Sequence, residues 1–474
     1  MRPALLTALI VATALFMENM DGTVISTSLP AIAHDLHQDP IVLKLALTSY
    51  MLTLAVFIPA SGWIADRFGA RSVFCSAIVV FTLGSVLCGA STSLATLIGA
   101  RVFQGLGGAM MVPVGRLVLL RSVAKSEMVD ALAYLTVPAL LGPVMGPPLG
   151  GFITTYFEWR WIFWINVPIG LAGVLLTLRF IDNMRERDVA AFDTRGFLLS
   201  GLGLLSLVGG MTVIGGRVAP ASVVVALVVC GLILLTLYVR HARRTPDAIL
   251  DLNLLKLPTF VSGVVGGFLF RLGIGAIPFL MPLLLQIGFG LTPFESGSLT
   301  FAAAAGAMLM KFTASRLIKR FGFRNILVGN AVISAAFLAS YGLIGANTPH
   351  AVIFLGLLVG GFFRSLEFTA LNAIGYADVP QARMSRATSF ASVSQQMSQA
   401  VGVAVAAIAV QGLQWGFHDP VLVSRDMQVS FFVVALLTLA STLIFIRLAP
   451  DAGAEVSGHA LVPARRRAAS APAE

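Results

Sequence analysis

Charge is what this sequence has least of. Only 11% of its 474 residues are Asp, Glu, Lys or Arg, while 57% are hydrophobic. A chain that faces water carries roughly 25% charged residues, so a soluble globular fold is excluded. The mean hydropathy of +0.90 puts most of the surface against lipid. Cysteine is nearly absent too. Cys75, Cys88 and Cys230 all fall within apolar runs, which argues against a disulfide framework and against a thiolate metal site. His34 and His37 lack metal-site spacing with carboxylates or thiols, so no metal and no other cofactor is expected. No G-x-x-x-x-G-K-[ST] loop is present to cradle a nucleotide phosphate, so ATP is not the fuel, and nothing else resembles an enzyme. The net charge of +10 does not imply nucleic acid, because the basic residues gather in short loops between apolar runs. That is the positive-inside pattern, and it reports orientation.

About 20 apolar residues cross a bilayer as a helix. By that measure the sequence predicts an all-α polytopic membrane protein with about fourteen spans. They lie near 5–29, 42–64, 72–90, 95–118, 131–155, 162–181, 196–214, 221–239, 259–287, 294–314, 326–345, 351–372, 387–412 and 428–448. Pro30, Pro40, Pro220, Pro293, Pro349 and Pro420 mark connections on one side. The other side holds Arg67, Arg71, Arg121, Lys125, Arg185, Arg187, Arg195, Arg240, Arg243, Arg244, Arg316, Lys319, Arg320, Arg324, Arg383 and Arg386. Against these the first side offers little beyond Arg160, Arg217 and Arg425. The asymmetry places both termini in the cytoplasm, which requires an even number of spans. Arg2, a short apolar run and Ala12-Thr13-Ala14 imitate a secretory signal, but the run continues to Leu29. It is therefore expected to remain as the first span. The Ala-, Pro- and Arg-rich stretch after Pro450, with Arg465-Arg466-Arg467, is expected to be a disordered tail.

Two of the basic connections resemble each other. Gly62-Trp63-Ile64-Ala65-Asp66-Arg67-Phe68-Gly69-Ala70-Arg71 is answered by Ser315-Arg316-Leu317-Ile318-Lys319-Arg320-Phe321-Gly322-Phe323-Arg324. Arg67, Phe68, Gly69 and Arg71 recur as Arg320, Phe321, Gly322 and Arg324 at one constant offset. Duplicated halves with a substrate site between them are a recurrent transporter design. The sequence thus divides into a six-helix bundle at 1–185, two inserted helices at 186–245, a second six-helix bundle at 246–450 and the tail at 451–474.

The first of these loops resembles the signature between helices 2 and 3 of the major facilitator superfamily. Gly62 is expected to let two helices approach closely, Gly69 to permit a tight turn, and Asp66 to meet a cation or a helix N-terminus. The resemblance implies that Gly62, Asp66, Arg67, Gly69 and Arg71 form a conformational latch between the halves. Lys319 stands where Asp66 would repeat, so that latch is asymmetric. Arg101-Val102-Phe103-Gln104-Gly105-Leu106-Gly107-Gly108-Ala109 resembles the helix-4 motif of proton-coupled drug exporters. The stretch from Gly142 to Gly151, with Gly142, Pro143, Gly146, Pro147 and Gly150, resembles the helix-5 motif that marks antiporters. Its glycines give a smooth packing face and its prolines weaken the backbone ladder. Trp159 to Pro168 follows, as in the drug-exporter branch. With about fourteen spans and Met20-Asp21-Gly22-Thr23-Val24-Ile25 in helix 1, the chain is similar to the EmrB/QacA type of drug:proton antiporters.

Ionisable residues inside spans are rare enough to count as functional until shown otherwise. Glu18 and Asp21 sit three apart on one face of span 1, with Glu18 roughly 20 Å into the membrane. Arg101, Arg271, and Arg364 with Glu367 lie in spans 4, 9 and 12. Burial favours the neutral acid and a neighbouring arginine favours the anion, so alternating access can load a proton on one face and release it on the other. Glu18, Asp21 and Glu367 are the candidate proton carriers, with Arg101 or Arg271 setting their affinity. Arg364 and Glu367 are candidates for a pair on one face. Static pairs that fix helix packing are the structural alternative. Lys311 and Arg116 are expected to snorkel.

Candidate contacts in a cavity between the halves are Phe57, Trp63, Phe268, Phe270, Phe279, Phe362 and Phe363. Gln104, Gln286, Asn372, Gln395, Gln396 and Gln399 add polar candidates. The run from Ser394 to Gln399 carries more amides than lipid tolerates, so its face meets another helix or water. These features predict a proton-coupled antiporter that exports small amphipathic compounds across a bacterial inner membrane. The competing readings are a facilitator or proton-coupled carrier of one metabolite or organic anion, which the basic residues Arg271, Lys311 and Arg364 keep open, and a non-transporting sensor. The partners expected are a small molecule, protons and the bilayer. A periplasmic adaptor leaves no signature in the sequence.

Overall fold

A computed structural model describes residues 3–122, 128–183, 185, 191–214, 219–245, 248–380, 383–418 and 421–459. Lys125, Arg187, Arg217, Pro420, the Arg121 side chain and the tail from 460 onward, with its three arginines, lie outside the described set. The long elements are α1 (Pro3–Asp35), α2 (Lys44–Phe68), α3 (Ala70–Gly89), α4 (Leu94–Ser122), α5 (Met128–Tyr156), α6 (Trp161–Phe180), α7 (Thr194–Val213) and α8 (Ala221–Ala242). They continue as α9 (Pro258–Gly288), α10 (Pro293–Lys311), α11 (Ala314–Tyr341), α12 (His350–Ile374), α13 (Met384–Gly416) and α14 (Ser424–Phe445).

Among the described residues, 12 helices are long and apolar enough to cross a membrane. The two helices that separate this from the expected fourteen are α5 and α10. α10 carries Glu295 in its first turn and is rich in alanine, serine and glycine, which lowers its hydropathy, and α5 begins where side chains are not described. Both are packed within the molecule, α5 on α1 and α10, α10 on α12. α10 also has a well-defined start. Thr292 Oγ1 accepts from the Glu295 amide at 3.2 Å and Glu295 Oε2 accepts from the Thr292 amide at 2.8 Å, with Pro293 in the first turn, which satisfies free donors at the helix end. Pro30, expected in a connection, instead lies inside α1.

Helix packing repeats along the chain. The contacts α1–α5, α2–α4, α3–α4 and α3–α6 recur as α9–α13, α10–α12, α11–α12 and α11–α14. The two related segments repeat as well, the second of them lying within α11, which is broken by a turn at Gly322. Gly69 and Gly322 both take positive φ, 95° and 74°, where a side chain would strain the backbone. Arg71 Nη1 donates to the carbonyl of Ile181 at 3.2 Å, just past α6. Arg324 Nη2 donates to the carbonyl of Ile446 at 3.1 Å, just past α14. Each loop is thus fastened to the last helix of its own group, and Arg185 Nε adds a bond to the Phe68 carbonyl at 3.0 Å. Gly62 does not serve helix approach: it is exposed, and a β-carbon there would meet nothing within 4 Å. Within the segment after Pro450, expected to be disordered, a short helix, α15 (Ala454–Ser457), packs on α11.

α7 packs on α2 and on α13, while α8 packs on α7. Only 11% of the apolar stretch of α8 is buried in protein. Polar ties hold this hairpin in place. Asp193 caps α7 by accepting from the Gly196 amide at 2.8 Å, and the same carboxylate meets His241 Nε2 at 2.8 Å and the Ile249 amide at 3.2 Å. Partial burial pushes the Asp193 carboxyl up, but these hydrogen bonds outweigh it and hold the group below its usual value. Asp193→Ala is expected to cost about 1 kcal/mol, as loss of an N-cap does, and to loosen the hairpin. A folded value below the unfolded one means that Asp193 stabilises above about pH 4 and loses that contribution as pH falls through the folded value. Melting curves of wild type and variant in detergent, taken at neutral and acidic pH, check this by converging at the acidic end.

Candidate functional site

A polar cluster is built into the apolar interior of α1–α6. Asp21 and Arg101 are 0% and 1% exposed, so each charge needs a close partner. Arg101 Nη1 lies 2.6 Å from Asp21 Oδ2 and also donates to Gln104 Oε1 at 2.6 Å, while Arg101 Nε donates to the Ala46 carbonyl at 3.1 Å. The other carboxylate oxygen, Asp21 Oδ1, accepts from Gln104 Nε2 at 2.9 Å and from Asn166 Nδ2 at 3.1 Å. Ser85 Oγ accepts from both amides, at 2.8 and 3.2 Å. The guanidinium stacks over the Tyr50 ring, 4.2 Å from its centroid. One turn from Asp21, Glu18 takes no part in these hydrogen bonds. Its Oε2 is buried and has no hydrogen-bond partner among the described residues.

α1 is placed by the glycines of α5. A β-carbon at Gly142 would fall 2.9 Å from the Phe16 carbonyl, and those at Gly146 and Gly150 would strike Thr23 and the Val24 carbonyl. The three are four residues apart and so share one helix face, a groove into which α1 fits. Pro143 and Pro147 occupy an adjoining face and line a cavity. Beyond Gly150 the two groups of helices meet. A β-carbon at Gly151 would strike the Pro293 carbonyl, and one at Gly297 the Pro147 carbonyl. Gln286 Nε2 donates to the Thr27 carbonyl at 2.8 Å across the same seam.

Behind that seam lies a cavity of about 480 Å³ between α1, α2, α5 and the helices α9, α10, α12 and α13. Much of its wall is apolar, including Met51, Ile274, Met281 and Phe368. Its charged lining comes from Arg271, Lys311 and Arg364, with Asn372, Gln395 and Gln399 beside them. Lys311 is the exposed one of the three and ends α10, at the far end of that helix from Gly297.

Several expected residues are brought together here and others are not. Arg271, Arg364, Asn372 and Gln395 line the cavity. Gln104 instead holds Asp21, and Gln286 ties the seam. Gln396 is not among the lining residues, nor are the seven aromatic candidates. Phe270 and Phe279 are 0% exposed in the core, and Phe57 and Trp63 pack on Phe197 and Phe192 of the inserted region. Arg364 and Glu367 do not pair. Glu367 is buried and accepts from Asn330 Nδ2 at 3.0 Å, on the side of α12 that meets α11, while Arg364 faces the cavity. Lys311 lines the cavity as well, donating to Thr369 Oγ1 at 2.9 Å, so lipid headgroups are not its only surroundings. Asn166, Ser85, Tyr50 and Asn330 were not singled out from the sequence. Asn166 carried a signal all the same, as an amide standing among apolar residues in the Trp159–Pro168 run.

A duplicated helical fold around a central cavity with buried ionisable groups defines a membrane transporter. The model of the Major Facilitator Superfamily matches residues 11–239 and 263–471, and the chain belongs to that family. It is 38% identical over 446 residues to the "Putative multidrug resistance protein MdtD" of Serratia proteamaculans (strain 568), covering 93% of each chain. It is 37% identical to the protein of that name from Citrobacter koseri, covering 93% of this chain and 94% of the other. Among solved structures, the POT family transporter PepTSo superposes with a TM-score of 0.71 at 15% identity, covering 97% of this chain and 99% of that one. A bacterial homolog of the human lysosomal transporter Spinster, inward-facing and unoccupied, gives 0.66 at 14%, covering 94% and 97%.

Proposed function

We propose that this protein is a proton-coupled antiporter that exports small amphipathic compounds by alternating access. The relatives named as multidrug resistance proteins favour export. The observation that carries the coupling is the placement of α1. That one helix sends Asp21 into the buried arginine cluster, keeps a second buried carboxyl at Glu18, and lends Thr23 and Ser26 to the cavity wall. A shift of α1 along the α5 groove therefore changes the surroundings of a carboxyl and of the cargo together, which is what coupling requires. Residues 1–185 and 246–450 act as the two moving bodies, with 186–245 between them. α5 and α10 complete fourteen spans, both termini lie in the cytoplasm of a bacterium, and the Gly62–Arg71 loop faces the same side. In that orientation the Gly151–Gly297 seam lies on the outer side of the membrane.

The test is purified protein in liposomes with an imposed pH gradient, a lumenal pH dye and a panel of lipophilic cations, dyes and organic anions. Substrate-dependent proton movement is expected, and Glu18→Gln should abolish it without lowering expression. Asp21→Asn should abolish it too, and is read beside its melting curve because it strips Arg101 of its counter-ion. Substrate flux without proton movement would make the protein a facilitator. Normal coupling in both single variants and in the double variant would remove these carboxyls from the mechanism.

A further inference from the structure

The charge of the cavity says more about its cargo than the family does. Arg271, Lys311 and Arg364 enter it from α9, α10 and α12, and no Asp or Glu is among the described lining residues. None of the three has an ion pair among the described residues. Arg271 hydrogen-bonds only to the Asn372 side chain at 3.2 Å and the Gly263 carbonyl at 3.4 Å, lies 5.5 Å from the centre of the Phe368 ring, and its buried Nε has no hydrogen-bond partner among the described residues. Lys311 has only Thr369, and Arg364 makes no hydrogen bond with any described residue. The contrast with Arg101, which has a carboxylate, a carbonyl and an amide, is sharp. A guanidinium withdrawn from water and left unmatched is unfavourable, and a bound carboxylate satisfies it through two parallel hydrogen bonds. A lipophilic cation would enter against three positive charges with no carboxylate in the described lining to offset them.

We propose that the cavity is an anion site, and that the compounds carried are organic anions with an apolar body and two acidic groups. Arg271 and Arg364 hold the acidic groups, the exposed Lys311 draws the anion in, and the wall around Met281 and Phe368 takes the apolar body. The proposal rests on the reading of the chain as an exporter but concerns the class of its substrate, so binding is measured apart from transport.

Isophthalate, its neutral dimethyl ester and tetraphenylphosphonium are titrated into the detergent-purified full chain, with binding followed calorimetrically. Isophthalate is expected to bind saturably and more weakly as salt rises, with the ester and the phosphonium binding at least tenfold more weakly. Arg364→Gln should weaken isophthalate by roughly thirtyfold or more, and Arg364→Lys should restore part of the loss. A melting curve for each variant shows that it is folded, and Arg271→Gln provides a second measurement if Arg364→Gln is not. Phosphonium binding that equals or exceeds isophthalate binding would overturn the proposal. So would isophthalate binding unchanged in both arginine variants, or no isophthalate binding at all. If isophthalate binds as expected but moves no protons in liposomes, the anion site stands and the antiport reading fails.

Discussion

Asp21→Ala is expected to destabilise the protein by about 3–5 kcal/mol, because it leaves Arg101 charged and buried without its counter-ion. The amides of Gln104 and Asn166 lose the acceptor Oδ1 at the same time, and donors left unsatisfied in the interior add to the loss. In detergent the melting temperature should fall by on the order of 5 °C or more. The double variant Asp21→Asn/Arg101→Gln removes both charges and keeps polar partners, and it should recover a good part of the drop. Measuring the two melting curves decides the matter. A single variant that melts with wild type would mean that the cluster tolerates an unmatched guanidinium, and the pair would then have no structural weight.

Gly297→Val should push the conformational equilibrium away from the closed seam. Its side chain would meet the Pro147 carbonyl, and backbone in a close-packed interior yields only by moving the helix that carries it. The partner contact, Gly151 against Pro293, lies beside it, so Gly151→Val should act in the same direction and the double variant more strongly. Spin labels at residues 158 and 290, on either side of the seam, report the outcome directly. A population at longer distance is expected in the variants, and an unchanged distance distribution would show that the glycines do not hold this end shut. Gly62→Val is the control, since its β-carbon meets nothing within 4 Å.

Much of this was readable before any coordinates. Apolar runs of membrane length marked the helices, and the Arg67–Arg71 and Arg320–Arg324 match exposed the repeat that the packing displays. The spacing of Gly142, Gly146 and Gly150 announced a smooth helix face, although not which helix fills it. Direction around the helix axis was harder. Residues three apart differ by about 60° in azimuth, enough for Glu367 to turn toward α11 while Arg364 turns into the cavity. The same ambiguity hid the assignment of Gln286 to the seam and of Gln395 to the cavity, since both are amides in apolar helices. Partners distant in sequence, such as Asn166 for Asp21, depend on packing that no local pattern encodes.

The bonds from Arg71 to Ile181 and from Arg324 to Ile446 have a mechanical meaning. Each joins the turn between the second and third helix of a group to the end of its sixth, so six helices are drawn into a closed hoop. A hoop resists being spread apart and passes an applied force to its rim. Deformation then concentrates where the two hoops touch, at the Gly151–Gly297 seam and along α7, which rides on a helix of each. The protein can change shape there, and α1, tied across the seam by the bond from Gln286 to the Thr27 carbonyl, is the helix that receives the change.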